Sequence, residues 1–181
     1  MNRGRNSWAK VIFICGFLIW VGFFINFIVR PGENRQAREQ EKKGDVFFNE
    51  GQPEKALLYW RRAIALAPAQ RSPYEKISAY YLLQGQWSEA IKIIESGLTQ
   101  LPSCANLYFN LGLSYYFSED YVRARENFGR VIQLDSYYPD AHYFLGLIYR
   151  KEGKPAEAKE EFIREVNLDP ASRRAWKEIR K

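Results

Sequence analysis

The pattern of apolar and polar positions divides the chain into two parts. From Val11 to Val29 the sequence reads VIFICGFLIWVGFFINFIV, which contains no charged side chain. A helix of about 20 residues spans the roughly 30 Å hydrocarbon core of a bilayer. Beyond this run, apolar residues recur at helical spacing, as at Tyr108, Leu111 and Tyr115. The pattern therefore predicts a single transmembrane helix over 11–29, followed by an all-helical body.

The alternative for the apolar run is a cleaved signal peptide. The apolar region of a signal peptide is usually about 7–15 residues long and ends at a small-x-small cleavage site. The run over 11–29 is longer, and residues 28–31 read IVRP, which offers no such site. A lipoprotein signal would place a small residue before the cysteine, but Ile14 precedes Cys15. We therefore expect a retained anchor.

The basic residues on the two sides of this run bear on its orientation. The tail 1–10 contains three basic residues and no acidic one, whereas five basic residues follow the run, up to Lys43. The positive-inside rule does not decide between such similar counts, and long domains translocate largely regardless of charge. We expect a cytoplasmic N-terminus and an extracytoplasmic body, periplasmic if the source is bacterial. The opposite orientation stays open.

A 34-residue period runs through the rest of the chain. Four columns hold their register over four copies, 37–70, 71–104, 105–138 and 139–172, after a linker over 30–36. A short segment over 173–181 restarts the pattern and is predicted to be a capping helix. The columns are Ala56, Ala90, Ala124, Ala158; Gly44, Ser78, Gly112, Gly146; Trp60, Ile94, Phe128, Phe162; and Pro68, Pro102, Ser136, Pro170.

These columns closely resemble the tetratricopeptide repeat, a helix-turn-helix unit of 34 residues. The resemblance implies an α-solenoid of four repeats over 37–172 and a role as a scaffold for other proteins, without naming the partner. Two residues of the first copy depart from the family pattern, because Gln40 replaces an aromatic residue and Lys43 replaces a leucine. This end of the array is therefore predicted to be weakly packed or covered.

Charge and chemistry exclude several other classes of function. The net charge of +6 comes from the two ends, because residues 37–172 carry 17 basic and 19 acidic side chains. Nucleic-acid binding would require a basic face on the folded body. One histidine, His142, and two cysteines do not supply the four closely arranged ligands of a structural zinc site. No nucleophile–base pair or glycine-rich phosphate loop is visible, so we expect no enzyme activity, no cofactor, no metal and no small-molecule substrate.

A concave protein-binding groove remains as the candidate site. In the family that the sequence resembles, the first helix of each repeat lines this groove, which implies a set of apolar residues: Phe109, Tyr116, Phe117, Tyr143, Leu82, Leu83, Leu113 and Leu147. For Leu113 and Leu147, packing against neighbouring first helices is an equal alternative. The sequence predicts a membrane-tethered adaptor or assembly factor that binds a segment of a membrane-associated partner. The alternative is a permanent accessory subunit of a larger membrane complex.

Overall fold

A computed structural model describes residues 35–180 of the chain. The predicted tail and the predicted transmembrane segment over 11–29 lie outside the described residues. The described range is helical throughout apart from its turns and contains no strand. No helix in that range is both long and apolar enough to cross a bilayer. The chain divides into two compact units, Met1–Ala67 and Pro68–Lys181, which are described separately below.

The described part of the first unit is one helical hairpin. Helix α1 covers 35–49 and helix α2 covers Pro53–Leu66. Its core is made of small residues, since Ala37, Ala63 and Ala67 are buried together. Trp60 is buried against Gly44, where an added Cβ would lie 2.5 Å from the indole ring. The indole N–H donates a hydrogen bond of 3.0 Å to the carboxylate of Asp45.

The described part of the second unit contains three further hairpins and a terminal helix. The helices are α3 (Arg71–Leu83), α4 (Trp87–Gln100), α5 (Ala105–Phe117), α6 (Tyr121–Leu134), α7 (Ala141–Lys151), α8 (Pro155–Leu168) and α9 (Arg173–Ile179). Consecutive helices pack against each other, and α3 also packs on α5, the first helix of the next copy.

Small residues bring the paired helices of the second unit together. An added Cβ would lie 2.9 Å from the Phe128 ring at Gly112 and 2.6 Å from the Phe162 ring at Gly146. Both rings are buried, and their position requires a neighbour without a side chain. Gly112 and Gly146 are therefore packing glycines, as the repeat pattern predicts.

The turn between the two helices of a copy requires a left-handed backbone. Gly85 and Gly153 hold it with φ of +69° and +74°. In the third copy Glu119 occupies the same place with φ of +64°. A non-glycine residue in this conformation is strained. The next residue, Asp120, compensates in part by accepting a 3.0 Å hydrogen bond from the backbone N–H of Arg123 in the first turn of α6.

A buried carboxylate stabilises the start of α7. Glu165, on α8, is 2% exposed and accepts hydrogen bonds from the backbone N–H groups of Asp140 (3.1 Å) and Tyr143 (3.2 Å). These N–H groups have no partner within the helix. Burial raises the pKa of Glu165, although the two backbone hydrogen bonds act in the opposite direction. The negative charge also lies at the favourable end of the helix dipole.

Candidate functional site

Helix α5 stands out in the second unit because none of its side chains is charged. Its sequence is ANLYFNLGLSYYF. Phe109 is only half-buried, but its ring is surrounded by other rings. Ring centroids lie 5.5 Å away at Phe128, 5.0 Å away at Tyr138 and 5.8 Å away at Phe144. Phe109 therefore belongs in large part to the packing between α5, α6 and α7.

The end of α5 presents aromatic surface to the solvent. Phe117 is 48% exposed and stacks on Trp87 of α4, with ring centroids 5.3 Å apart and planes 19° apart. The neighbouring Tyr116 is half-buried and contacts both Phe117 (5.3 Å) and Phe144 (5.5 Å). Burial raises the pKa of the Tyr116 hydroxyl. Phe117 is therefore exposed aromatic surface, and its ring is held by the half-buried Trp87 and by Tyr116.

Tyr143, the counterpart of Phe109 in the fourth copy, has a mixed environment. Its ring contacts Phe144 at 5.6 Å and Phe162 at 5.8 Å. The guanidinium of Arg174 lies 5.0 Å from its ring centroid and binds the carboxylate of Asp140 at 2.5 Å. Tyr143 is half-buried. The Tyr143 ring is therefore covered in part by the Arg174 guanidinium from α9.

The four leucines of the candidate set differ in exposure. Leu82, Leu113 and Leu147 are half-buried, whereas Leu83, at the end of α3, is 79% exposed. Leu83 and Phe117 each end the first helix of their copy, one 34-residue period apart. The two residues of the candidate set that present the most surface to the solvent thus occupy the same place in successive copies.

Three aromatic residues of this region were not among the candidates from the sequence. Phe144 joins the set, since it contacts Phe109, Tyr116 and Tyr143 and stacks on Phe128 at 5.3 Å. Its counterparts in the preceding copies are the polar residues Lys76 and Asn110, and this break in the column is the signal that could have identified it. The other two are Trp87 and Tyr138.

Tyr138 lies in the loop before α7 and packs on the ring of Phe109. It contacts Phe109, and its pKa is raised to about 12, mainly by burial and then by the charge of Glu75 on α3. Its ring shields part of Phe109 from the solvent.

Two residues with catalytic potential, His142 and Ser114, are engaged in structural contacts. His142 Nδ1 lies 2.6 Å from the carboxylate of Glu161, which also binds Arg164 at 2.5 Å. The hydroxyl of Ser114 is buried and donates to the carbonyl of Asn110 at 2.8 Å. Cys104 is a half-buried free cysteine at the start of α5. No group of His, Cys, Asp and Glu side chains among residues 35–180 is arranged to hold a metal ion.

Comparison with known families decides the identity of the fold. The tetratricopeptide repeat family model matches residues 41–103 and 109–173, which is well over half of the chain. The chain belongs to the tetratricopeptide repeat family. The prediction of an all-helical repeat array is thereby confirmed for the described residues. Proteins of this family generally mediate protein–protein interactions, so a binding surface is a more informative description of the site than a reaction centre.

Individual relatives resemble this chain in sequence or in fold but are proteins of different kinds. Human tetratricopeptide repeat protein 13 is 32% identical over 109 residues, 60% of this chain and 13% of that protein. The human protein O-mannosyl-transferase TMTC1 is 25% identical over 163 residues, 80% of this chain and 18% of the transferase. The solved structure of PilF from Pseudomonas aeruginosa has a TM-score of 0.71 at 21% identity, covering 82% of this chain and 68% of PilF.

These coverages limit what the relatives imply. The chain spans less than a fifth of the length of either human protein. The transferase activity in the name of TMTC1 belongs to that whole protein. The likeness to PilF concerns the fold alone.

Proposed function

We propose that this tetratricopeptide repeat protein is a membrane-tethered adaptor or assembly factor that holds a segment of a partner protein on α3, α5 and α7. The observation that carries the proposal is the exposed Phe117, which ends the uncharged helix α5 and stacks on the half-buried Trp87. Contiguous exposed apolar surface marks interaction sites, and aromatic residues dominate binding energy. Leu83, one 34-residue period before Phe117, is a second exposed apolar side chain at the equivalent position of the preceding copy.

The ring contacts favour tight binding because they hold the anchors in place before the partner arrives. Phe117 is supported by Trp87 on one side and by Tyr116 on the other. A side chain that is already fixed loses little rotamer entropy on binding. Phe109 and Tyr143 support the surface from within, because their rings pack on Phe144.

The apolar run over 11–29 supports the membrane tether. The linker 30–36 has seven residues, so it extends at most roughly 25 Å. Partners would therefore be engaged close to the bilayer, as membrane-embedded or membrane-emerging segments. The proposed orientation has a cytoplasmic N-terminus. Protease added to intact spheroplasts should then digest the repeats and spare cytoplasmic markers. Protection of the repeats until the membrane is broken would reverse the proposed orientation.

A permanent accessory subunit is the second candidate. The exposure of Leu83 and Phe117 favours it, since a constitutive partner would cover apolar side chains that otherwise face water. Purification in mild detergent separates the two candidates. A stoichiometric complex favours the subunit, whereas isolation of the single protein with transient cross-links favours the adaptor.

Photo-crosslinking tests the surface itself. A photoreactive amino acid at Leu83 should capture a partner in cells, whereas the same residue at Ile163 on α8, another exposed apolar position, should not. Phe117→Ala should weaken partner recovery about thirtyfold, since truncation of a central anchor costs about 2 kcal/mol or more. Equal capture at both positions, or normal recovery with Phe117→Ala, would contradict the assignment. Phe109→Ala is less suitable because it would disturb the packing on Phe128.

A further inference from the structure

The first unit contains a pocket that the proposed partner surface does not use. It has a volume of about 390 Å³ and is lined by Lys42, Lys43, Val46, Phe47 and Tyr59. Its floor is aromatic, since the rings of Phe47 and Tyr59 stack with centroids 5.1 Å apart. Val46 at its edge is 54% exposed. The pocket is thus an apolar surface that is open to the solvent.

The same register positions are buried elsewhere in the chain. The counterparts of Lys43 in the three later copies are Ile77, Leu111 and Leu145, all buried. The counterparts of Val46 in the third and fourth copies, Ser114 and Ile148, are also buried. A terminal repeat that faces only water would carry a polar outer face. The first copy instead keeps Val46, Phe47 and Tyr59 and adds lysines around them.

The rim of the pocket is basic. Besides Lys42 and Lys43, the ammonium of Lys55 lies 5.3 Å from the Phe47 ring and the guanidinium of Arg62 lies 5.2 Å from the Tyr59 ring. Two acidic residues follow the same side, Glu39 in α1 about two turns before Val46 and Glu50, just beyond the end of α1, about one turn after it. Glu39 is paired with Arg35, and Glu50 accepts a hydrogen bond from the Gln52 amide. Among the side chains named here, the basic ones outnumber the acidic ones.

An apolar floor inside a cationic rim suits the boundary between lipid headgroups and acyl chains. Aromatic and aliphatic side chains enter this boundary, while lysine stems cover apolar surface and keep their charge in water. Each basic residue near an anionic membrane surface contributes about a fivefold preference for it. We propose that the pocket docks on anionic phospholipid of the membrane that anchors the chain, and so holds the first repeat against the bilayer.

The proposal rests on the proposed tether, and the length of chain permits it. Five residues separate Val29 from the described start of α1 at residue 35, a distance of at most about 20 Å. Val46 lies about 17 Å further along the helix. The pocket is therefore held within about 40 Å of the membrane exit, and docking requires no further attachment.

The test uses the full chain in lipid nanodiscs, with an environment-sensitive fluorophore on Val46→Cys after Cys15→Ser and Cys104→Ser. With phosphatidylglycerol mixed into phosphatidylcholine, the label should shift to shorter wavelength and be quenched by a headgroup spin label. With phosphatidylcholine alone it should stay in the aqueous state. A label on Leu83→Cys, in the second unit, should respond to neither lipid.

A matched set of charge variants completes the design. Lys42→Gln, Lys43→Gln and Lys55→Gln together should lower the docked-to-undocked ratio about a hundredfold. The same number of substitutions at the exposed Lys92, Lys151 and Lys159 should leave it unchanged. Added salt should weaken docking, because exposed charges are screened over about 8 Å at physiological ionic strength.

Other outcomes separate the inference from the tether. If the chain stays with the nanodisc but the Val46 label does not respond, or responds equally in both lipids, the docking proposal fails while the tether stands. A shift that depends on protein concentration in detergent would assign the pocket to a second copy instead. Failure of the chain to remain with the nanodisc would overturn both the tether and the docking.

Discussion

The third and fourth copies pair their two helices in the same way but differ at single buried positions within the repeat. Gly112 and Gly146 lie against Phe128 and Phe162 in the same way. The 27th position of the copy, by contrast, holds Val131 in one and Glu165 in the other, and both are buried. Valine adds apolar packing, whereas the carboxylate binds the start of α7. The glycine and aromatic columns thus set how the helices pair. A substitution such as Glu165 gives one copy a contact that the other copy lacks.

The packing glycines give the largest expected effect. Gly112→Ala and Gly146→Ala should each lower the free energy of unfolding by about 1–3 kcal/mol, because the new methyl group would overlap a buried ring. Gly146→Ala should cost more, since the Cβ–ring distance there is 2.6 Å against 2.9 Å at Gly112. Urea unfolding of the purified chain, followed by circular dichroism, measures both.

A third glycine of the same region provides the control. An added Cβ at Gly129 in α6 would meet no atom within 4 Å. Gly129→Ala should therefore raise the free energy of unfolding by up to about 1 kcal/mol through helix propensity. If all three alanine variants were equally stable, close approach at Gly112 and Gly146 would not be what holds the paired helices.

The buried carboxylate of the fourth copy predicts a dependence of stability on pH. Because the pKa of Glu165 is raised above its ordinary 4.5, the folded chain binds more protons than the unfolded chain in the window between the two values. The contribution of Glu165 to the free energy of unfolding should therefore fall as the pH rises above about 4.5. Glu165→Gln should lack this fall. Denaturant titrations of both proteins across that window provide the measurement.

Val131, the residue at the same position in the third copy, offers a comparison for this effect. Val131→Ala should reduce stability through lost packing, by an amount that does not vary with pH, since no titratable group is changed. A parallel pH profile for the wild-type chain and Glu165→Gln would show that Glu165 does not titrate differently in the folded state.

The turn residues give the smallest expected effect. Glu119→Gly should raise the free energy of unfolding by about 1 kcal/mol, because glycine adopts the positive φ of this position without strain. Gly153→Ala in the fourth copy should lower it by a similar amount. Both changes are read from thermal midpoints. A loss of stability with Glu119→Gly would indicate that its side chain makes a contact more important than the backbone strain.

The sequence was sufficient for the features that repeat. The period of 34 residues predicts the hairpins and the column of small residues that contains Gly112 and Gly146. The break in its column marks Phe144, but the roles of Phe144 and Glu165 could not be predicted from the sequence. Each of them acts on a neighbouring helix, through ring contacts or backbone hydrogen bonds, and so depends on three-dimensional neighbours that no periodic pattern encodes. The transmembrane segment and the partner surface stay predictions.

The nearest-neighbour packing of α3 to α9 has a consequence for how this unit can acquire its structure. The helices of the second unit pack mainly on those before and after them in the chain. At about 5–20 residues per second, a ribosome delivers one 34-residue copy in about 2–7 s, whereas helices form within microseconds. Each hairpin can therefore be completed as it emerges, long before α9 is synthesised. Such a chain spends little time with long unpaired apolar surfaces, the condition in which nascent proteins aggregate.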